Sequence, residues 1–158
     1  MDLILWRHAE AVAARDGEDD LGRALTPKGE RQARRMARWL HHALPASARV
    51  LSSPARRAQQ TAGALDRSFR SVDALAPDGS VAGLLDAVRW HDSPVAVLVV
   101  GHQPTLGLVA AQLVGGLDPA ATLPWRIKKG GVWWLRTRGN GDGGPPLTVL
   151  AVRSPDLL

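Results

Sequence analysis

The sequence has no cysteine, no tyrosine and a single phenylalanine. Without cysteine there is no disulfide, thiolate zinc site, iron–sulfur cluster or cysteine nucleophile. Long apolar runs are also missing. The longest, Val95–Val100, falls far short of the roughly 20 residues that span a bilayer. The N-terminal stretch carries an acid at Asp2 and only Leu3–Trp6 before Arg7, which does not read as a signal peptide. A chain free of membrane segments, in the cytoplasm, is the expectation.

What is present fits a folded domain. The 158 residues are 45% hydrophobic, too apolar for disorder. Domains run to about 100–200 residues, so a single domain over 1–158 is expected. There are 20 Lys+Arg against 15 Asp+Glu, a net charge of +5. A pI near 10.9 suggests nucleic acid as a partner. The arginines are scattered, however, and only the group from Arg31 to Arg38 could form a basic face, so no nucleic-acid partner is expected. The six tryptophans read as core packing rather than a stacking platform.

Strand and helix signals alternate along the chain. Leu3–Trp6, Val50-Leu51 and Val95–Val100 read as strands, and the last is apolar on both faces, as a central strand covered by helices must be. Thr26-Pro27 offers an N-cap and a first-turn proline for a helix over 27–44. Its stripe of Ala33, Met36, Ala37, Leu40 and Leu44 excludes the neighbouring arginines. Ser53-Pro54 repeats that start for a helix over about 54–69, and further helices are expected at 81–90 and 104–114. The segment Gly17–Gly22 reads as an acidic loop. Val132–Thr137 and Leu147–Val152 read as strands around a glycine-rich turn, Gly139–Pro146. The class is α/β: a three-layer sandwich, with a mostly parallel central sheet flanked by helices.

Ligands of open α/β sheets bind outside the carboxyl ends of strands. Three such ends carry reactive or cationic residues: Arg7-His8, Ser52-Ser53-Pro54-Ala55-Arg56-Arg57, and Gly101-His102. Arginine forks match phosphate oxygens, and a histidine among them is kept neutral and nucleophilic. Each residue alone reads as ordinary surface or structural polarity. Their joint placement makes an even balance between a phosphate site and a structural role.

The motifs add a resemblance. Leu5-Trp6-Arg7-His8-Ala9-Glu10, Leu25-Thr26-Pro27-Lys28-Gly29-Glu30-Arg31-Gln32-Ala33, Ser52 to Thr61, and Val100-Gly101-His102-Gln103-Pro104 follow one another in order. Together they resemble the histidine phosphatase superfamily, which includes phosphoglycerate mutase-like enzymes, and most of all its compact SixA-type phosphohistidine phosphatases. The resemblance implies His8 as the nucleophile, with Arg7, Arg57 and His102 binding phosphate. Arg57 rather than Arg56 follows from counting back from Gln60-Thr61. It also implies a phosphorylated substrate, including a phosphohistidine-bearing protein, and neither metal nor cofactor. Ala9 stands where the family has glycine, which requires a negative φ there.

The general acid is open between Glu10 and Asp78, either of which could equally be a plain turn residue. Lys128-Lys129 is either a rim for an acidic substrate or an exposed basic turn. His41-His42 reads as surface. The short chain between Leu51 and Val95 leaves little to build a lid, so a wide, shallow cleft is expected. A phosphatase of small esters and a phospho-ligand binding module without turnover remain the rival readings.

Overall fold

The computed structural model describes residues 1–137 and 147–158, so the glycine-rich turn lies outside the described residues. Six strands form one sheet in the order β3-β2-β4-β1-β5-β6. They are β1 (Asp2–Arg7), β2 (Arg49–Ser52), β3 (Arg70–Ser71), β4 (Val97–Gly101), β5 (Val132–Thr137) and β6 (Leu147–Arg153). The β3, β2, β4 and β1 strands run parallel, and β5 and β6 close one edge antiparallel. The helices are α1 (Pro27–Ala43), α2 (Arg56–Gly63), α3 (Val81–Val88) and α4 (Thr105–Gly115).

The period of two in β1 and β4 assigns each face its core. Ile4, Trp6, Leu98 and Val100 point to one side, where Met36 and Leu40 of α1 and Ala58 and Ala62 of α2 cover them. Leu3, Leu5, Val97 and Val99 point to the other side, against Leu84 and Val88 of α3 and Leu106, Val109 and Ala110 of α4. Helices on both faces make three layers; β4 is buried throughout and β1 everywhere but its two end residues. No helix among the described residues is long and apolar enough to cross a membrane.

Most element ends fall within two residues of the expected ones. The second helix is the exception, spanning 56–63 rather than 54–69. Ser53 does not cap it: the Ser53 hydroxyl accepts from the Ala55 amide and is engaged with His102. At the other end Asp66 takes a left-handed φ of 54°, which breaks the helix. The chain released there forms β3, a two-residue edge strand with no sequence signal of its own.

The N-terminus of α1 lies directly on the segment that follows β1. Thr26 caps the helix by accepting from the Gly29 amide at 3.0 Å. A Cβ at Gly29 would overlap the Glu10 carbonyl. Alanine is the better helix former by about 1 kcal/mol, but here the backbone has no room. Gly29→Ala is therefore expected to lower unfolding free energy by about 1–3 kcal/mol, read from urea melts. A variant as stable as the wild type would show that the close approach does not constrain the chain.

Candidate active site

The site is built from the carboxyl ends of β1, β2 and β4, which are fastened to one another by backbone hydrogen bonds. The His8 amide donates to the Gly101 carbonyl at 3.0 Å, and the Ser53 amide to the Val100 carbonyl at 2.9 Å. The Gly130 amide reaches the carbonyls of both Arg7 and His8 at 3.1 Å. Beyond His8, side chains from the helices satisfy the turn. The Ala9 amide donates to Thr61 Oγ1, the Glu10 amide to Gln32 Oε1, and the Leu25 amide to Gln60 Oε1. Ala9 itself keeps a negative φ, since Asp66 and Arg89 are the non-glycine residues with positive values among the described residues. It meets the condition its side chain imposes.

These ends place Arg7, His8, Arg57 and His102 around a cleft of about 240 Å³, with Ala11, Arg23, Pro77, Gln103 and Lys129 completing its wall. The two imidazole centroids are 5.0 Å apart. His8 Nδ1–H donates to the Ala9 carbonyl at 2.7 Å, so in the neutral ring Nε2 carries the free lone pair. Arg57 Nη2 lies 3.5 Å from His102 Nδ1. A guanidinium only donates, so that nitrogen is the acceptor, and His102 Nε2–H donates to Ser53 Oγ at 2.7 Å. Arg7 is steadied by donating from Nη1 to the Ile127 carbonyl at 2.7 Å.

Burial, reinforced by the neighbouring positive charges, sets the protonation states. Burial first, then Arg57, Arg7 and Arg23, outweigh the Ala9 carbonyl and bring His8 down to about 4. Burial, then His8 and Arg57, bring His102 down to about 3. Both rings are neutral at pH 7, and His8 presents a bare Nε2 to a cleft lined by guanidinium groups. The Nε–H groups of Arg7 and Arg57 are buried without partners, donors that gain from an incoming oxyanion. The arrangement can bind a phosphoryl group and offer it a nitrogen nucleophile.

Of the residues singled out in the sequence, Arg7, His8, Arg57 and His102 come together. Arg57 is buried, whereas Arg56 is exposed. Glu10 is placed elsewhere: Thr26 Oγ1, then Lys28, hold its carboxylate at the start of α1, and it does not line the cleft. Asp78 is exposed, and only its neighbour Pro77 reaches the wall. The lysine pair divides, Lys129 lining the cleft and Lys128 lying 3.5 Å from Asp156.

Sequence reasoning missed Asp20 and Arg23. The Asp20 carboxylate accepts from Arg57 Nη2 at 2.9 Å and from Arg23 Nε at 2.9 Å, while its carbonyl accepts from Arg57 Nη1 at 2.6 Å. Asp20 sits in the Gly17–Gly22 segment that reads as an acidic loop, and Arg23 follows it directly. The one available signal was that it lies directly before the Leu25-Thr26-Pro27 motif.

With the geometry in hand, comparison places the chain among known proteins. Residues 3–76 match the model of the histidine phosphatase superfamily, branch 1. The phosphohistidine phosphatase SixA of Escherichia coli strain K12 is 34% identical over 128 residues, covering 75% of this chain and 78% of that one. The chain belongs to the histidine phosphatase superfamily. A SixA homolog of Haemophilus influenzae is 29% identical, covering 80% of this chain and 85% of its own. The structure of a protein histidine phosphatase SixA complexed with tungstate superimposes with a TM-score of 0.78 at 27% identity, over 99% of this chain and 98% of the other. The fold is thus phosphoglycerate mutase-like, as the motifs implied.

The depressed histidines predict acid sensitivity. In the unfolded chain each binds a proton near 6.5, whereas in the fold His8 waits until about 4 and His102 until about 3. Between those values the unfolded state holds more protons, so their contribution is full above 6.5 and is lost as pH falls. The unfolding free energy from urea melts should drop between pH 6.5 and 4, by up to about 1.4 kcal/mol per pH unit for each histidine. His8→Ala should have a shallower slope. An identical slope in the variant would mean that His8 is not held neutral.

Proposed function

We propose that the protein is a phosphatase working through a phosphohistidine intermediate on His8, and that its substrate is phosphohistidine carried on another protein. The observation that carries the first part is the bare Nε2 of a neutral His8, directed by the Ala9 carbonyl and flanked by Arg7, Arg57 and His102. His8 attacks phosphorus in line and the leaving group departs. Water then attacks the phosphohistidine and frees phosphate. Arg7 and Arg57 neutralise the charge on the equatorial oxygens, where most of the rate enhancement of phosphoryl transfer lies, while the neutral His102 ring lines the same cleft. These steps need only this chain's own side chains, and the reaction takes place in the cytoplasm.

Three points favour a protein-borne phosphohistidine. The relatives at 34% and 29% identity are named as phosphohistidine phosphatases or their homologs. Of the 75–80 loop, Pro77 alone contributes to the wall, leaving the mouth without a lid from that segment. Imidazole, with a pKa of roughly 6.5, is also a far better leaving group than an alkoxide.

The test has two arms. Wild-type protein mixed with radiolabelled 4-nitrophenyl phosphate should trap acid-labile label, and His8→Ala should lose at least about 10³-fold in turnover. Binding of phosphate without turnover by the wild type would make the protein a phospho-ligand binder. In a panel of a phosphohistidine carrier protein, sugar phosphates, nucleotides and phosphoserine peptides, kcat/KM should be highest for phosphohistidine. An ordinary ester preferred tenfold, about 1.4 kcal/mol of transition-state preference, would remove the phosphohistidine assignment and leave the phosphatase.

A further inference from the structure

The Asp20 carboxylate is not accounted for by phosphate binding. A negative side chain is held against Arg57, whose side chain is 3% exposed, while its own is 49% exposed, behind the cleft wall that Arg57 and Arg23 form. Arg23, which also lines the cleft, closes on the same carboxylate from the other side at 2.8 Å. Arg57 Nη2 therefore has Asp20 at 2.9 Å on one side and His102 Nδ1 at 3.5 Å on the other. A phosphoryl group bound between His8, His102 and Arg57 needs that same Nη2. Asp20 is an exchangeable occupant, one guanidinium away from the reacting atoms.

The position matters because of direction. In-line attack by His8, buried at the floor, sends the leaving atom toward the mouth. Among the carboxylates weighed for proton transfer, Glu10 is tied to Thr26 and Lys28, and Asp78 is not part of the wall. Asp20 alone of these three contacts two residues that line the cleft.

We propose that Asp20, displaced from Arg57 by the arriving phosphoryl group, delivers the proton to the leaving atom and then takes one from the attacking water. This rests on the phosphatase reading above and assigns a residue to its proton transfers. In the free protein partial burial raises the carboxyl, but the hydrogen bonds and charges of Arg57 and Arg23 outweigh it and hold Asp20 ionised. When a dianion takes over Arg57, the carboxylate loses one cation and gains two negative charges beside it. Both changes favour the protonated acid, so Asp20 takes up one proton from solvent as the substrate binds.

The bookkeeping closes over the two steps. As His8 Nε2 bonds to phosphorus and the P–O or P–N bond breaks, the Asp20 proton goes to the leaving oxygen or nitrogen, which departs neutral. Asp20 is then a carboxylate facing the phosphohistidine. Water adds to phosphorus as the P–Nε2 bond breaks, its proton returns to Asp20, and His8 recovers its lone pair. On release of phosphate, Asp20 loses that proton to solvent and pairs with Arg57 again.

A leaving-group series on the full chain tests this, using 4-nitrophenyl phosphate, whose phenolate leaves unaided, and phenyl phosphate, whose phenol has a pKa of roughly 10. Asp20 stands in a half-exposed 3-10 turn, so Asp20→Asn should fold normally. Expected is a kcat/KM loss of about 10²-fold or more for phenyl phosphate, with a several-fold smaller loss for the nitrophenyl ester. The variant should also accumulate acid-labile phosphoenzyme, because its water step lacks a base, and Asp20→Glu should restore part of the phenyl activity. Equal losses on both esters would make Asp20 a mere support of Arg57, and equal gains would make it only a competitor of phosphate. Either result overturns the proposal while leaving the phosphatase intact. Failure of the wild type to turn over either ester would instead refute the phosphatase reading, and this proposal with it.

Discussion

The His8 and His102 rings stand 5.0 Å apart beside the Arg57 guanidinium, and burial keeps both uncharged. This juxtaposition of fixed positive charge and depressed basicity governs the rest of the structure. Protonating either ring would place another cation among Arg7, Arg23 and Arg57. A buried histidine that refuses a proton at pH 7 keeps a lone pair for use, and the surrounding guanidinium groups favour an anion over any other visitor. The free lone pair of His8 and the anion-attracting cleft therefore share one physical cause.

Such a cluster repels itself, so something rigid must hold it. The sheet does this by having its central strands apolar on both faces, with side chains locked between two helical layers. At the carboxyl ends polarity appears, and there backbone amides of His8 and Ser53 spend their donors on the neighbouring strand. Arg7 is held by a backbone carbonyl rather than a carboxylate, so its charge is not cancelled. The Gln32 and Thr61 side chains fix the turn after His8 in the same neutral fashion, and Gln60 does so for Leu25. Polar groups without charge position the charged ones.

Much of this was legible because it is local. The β4 strand announces itself by a run of valine and leucine, α1 by its cap and stripe, and the strand ends by the residues following them. The choice of Arg57 over Arg56 is a matter of helical phase, about 100° per residue, and the exposed and buried sides agree with it. What failed to show was set by distant partners. Ser53-Pro54 has the form of a helix start, yet the serine hydroxyl serves a histidine 49 residues away. Lys128 and Lys129 are adjacent and chemically identical, and only the fold turns one to the cleft and the other to Asp156. Glu10, two residues past His8, is drawn off by the helix cap that follows. Asp20 is the clearest case, since a loop aspartate gives no hint that its partner lies 37 positions on.

The Asp20 pairing also bears on which anions the cleft can select. In the free protein Arg57 is already satisfied by one negative charge and by the Asp20 carbonyl. An entering ligand must replace that carboxylate, so only the difference between the two anions counts. A monoanion, such as a phosphodiester, offers Arg57 the same charge that it gives up, and it must also be desolvated. A phosphoryl dianion brings one more negative charge and enough oxygens to reach Arg7 together with Arg57. The exchange therefore favours terminal phosphoryl groups through charge alone, before any contact with the rest of the substrate. Within the cleft of about 240 Å³, Arg23 and Lys129 add positive charge to that of Arg7 and Arg57, which strengthens the same preference.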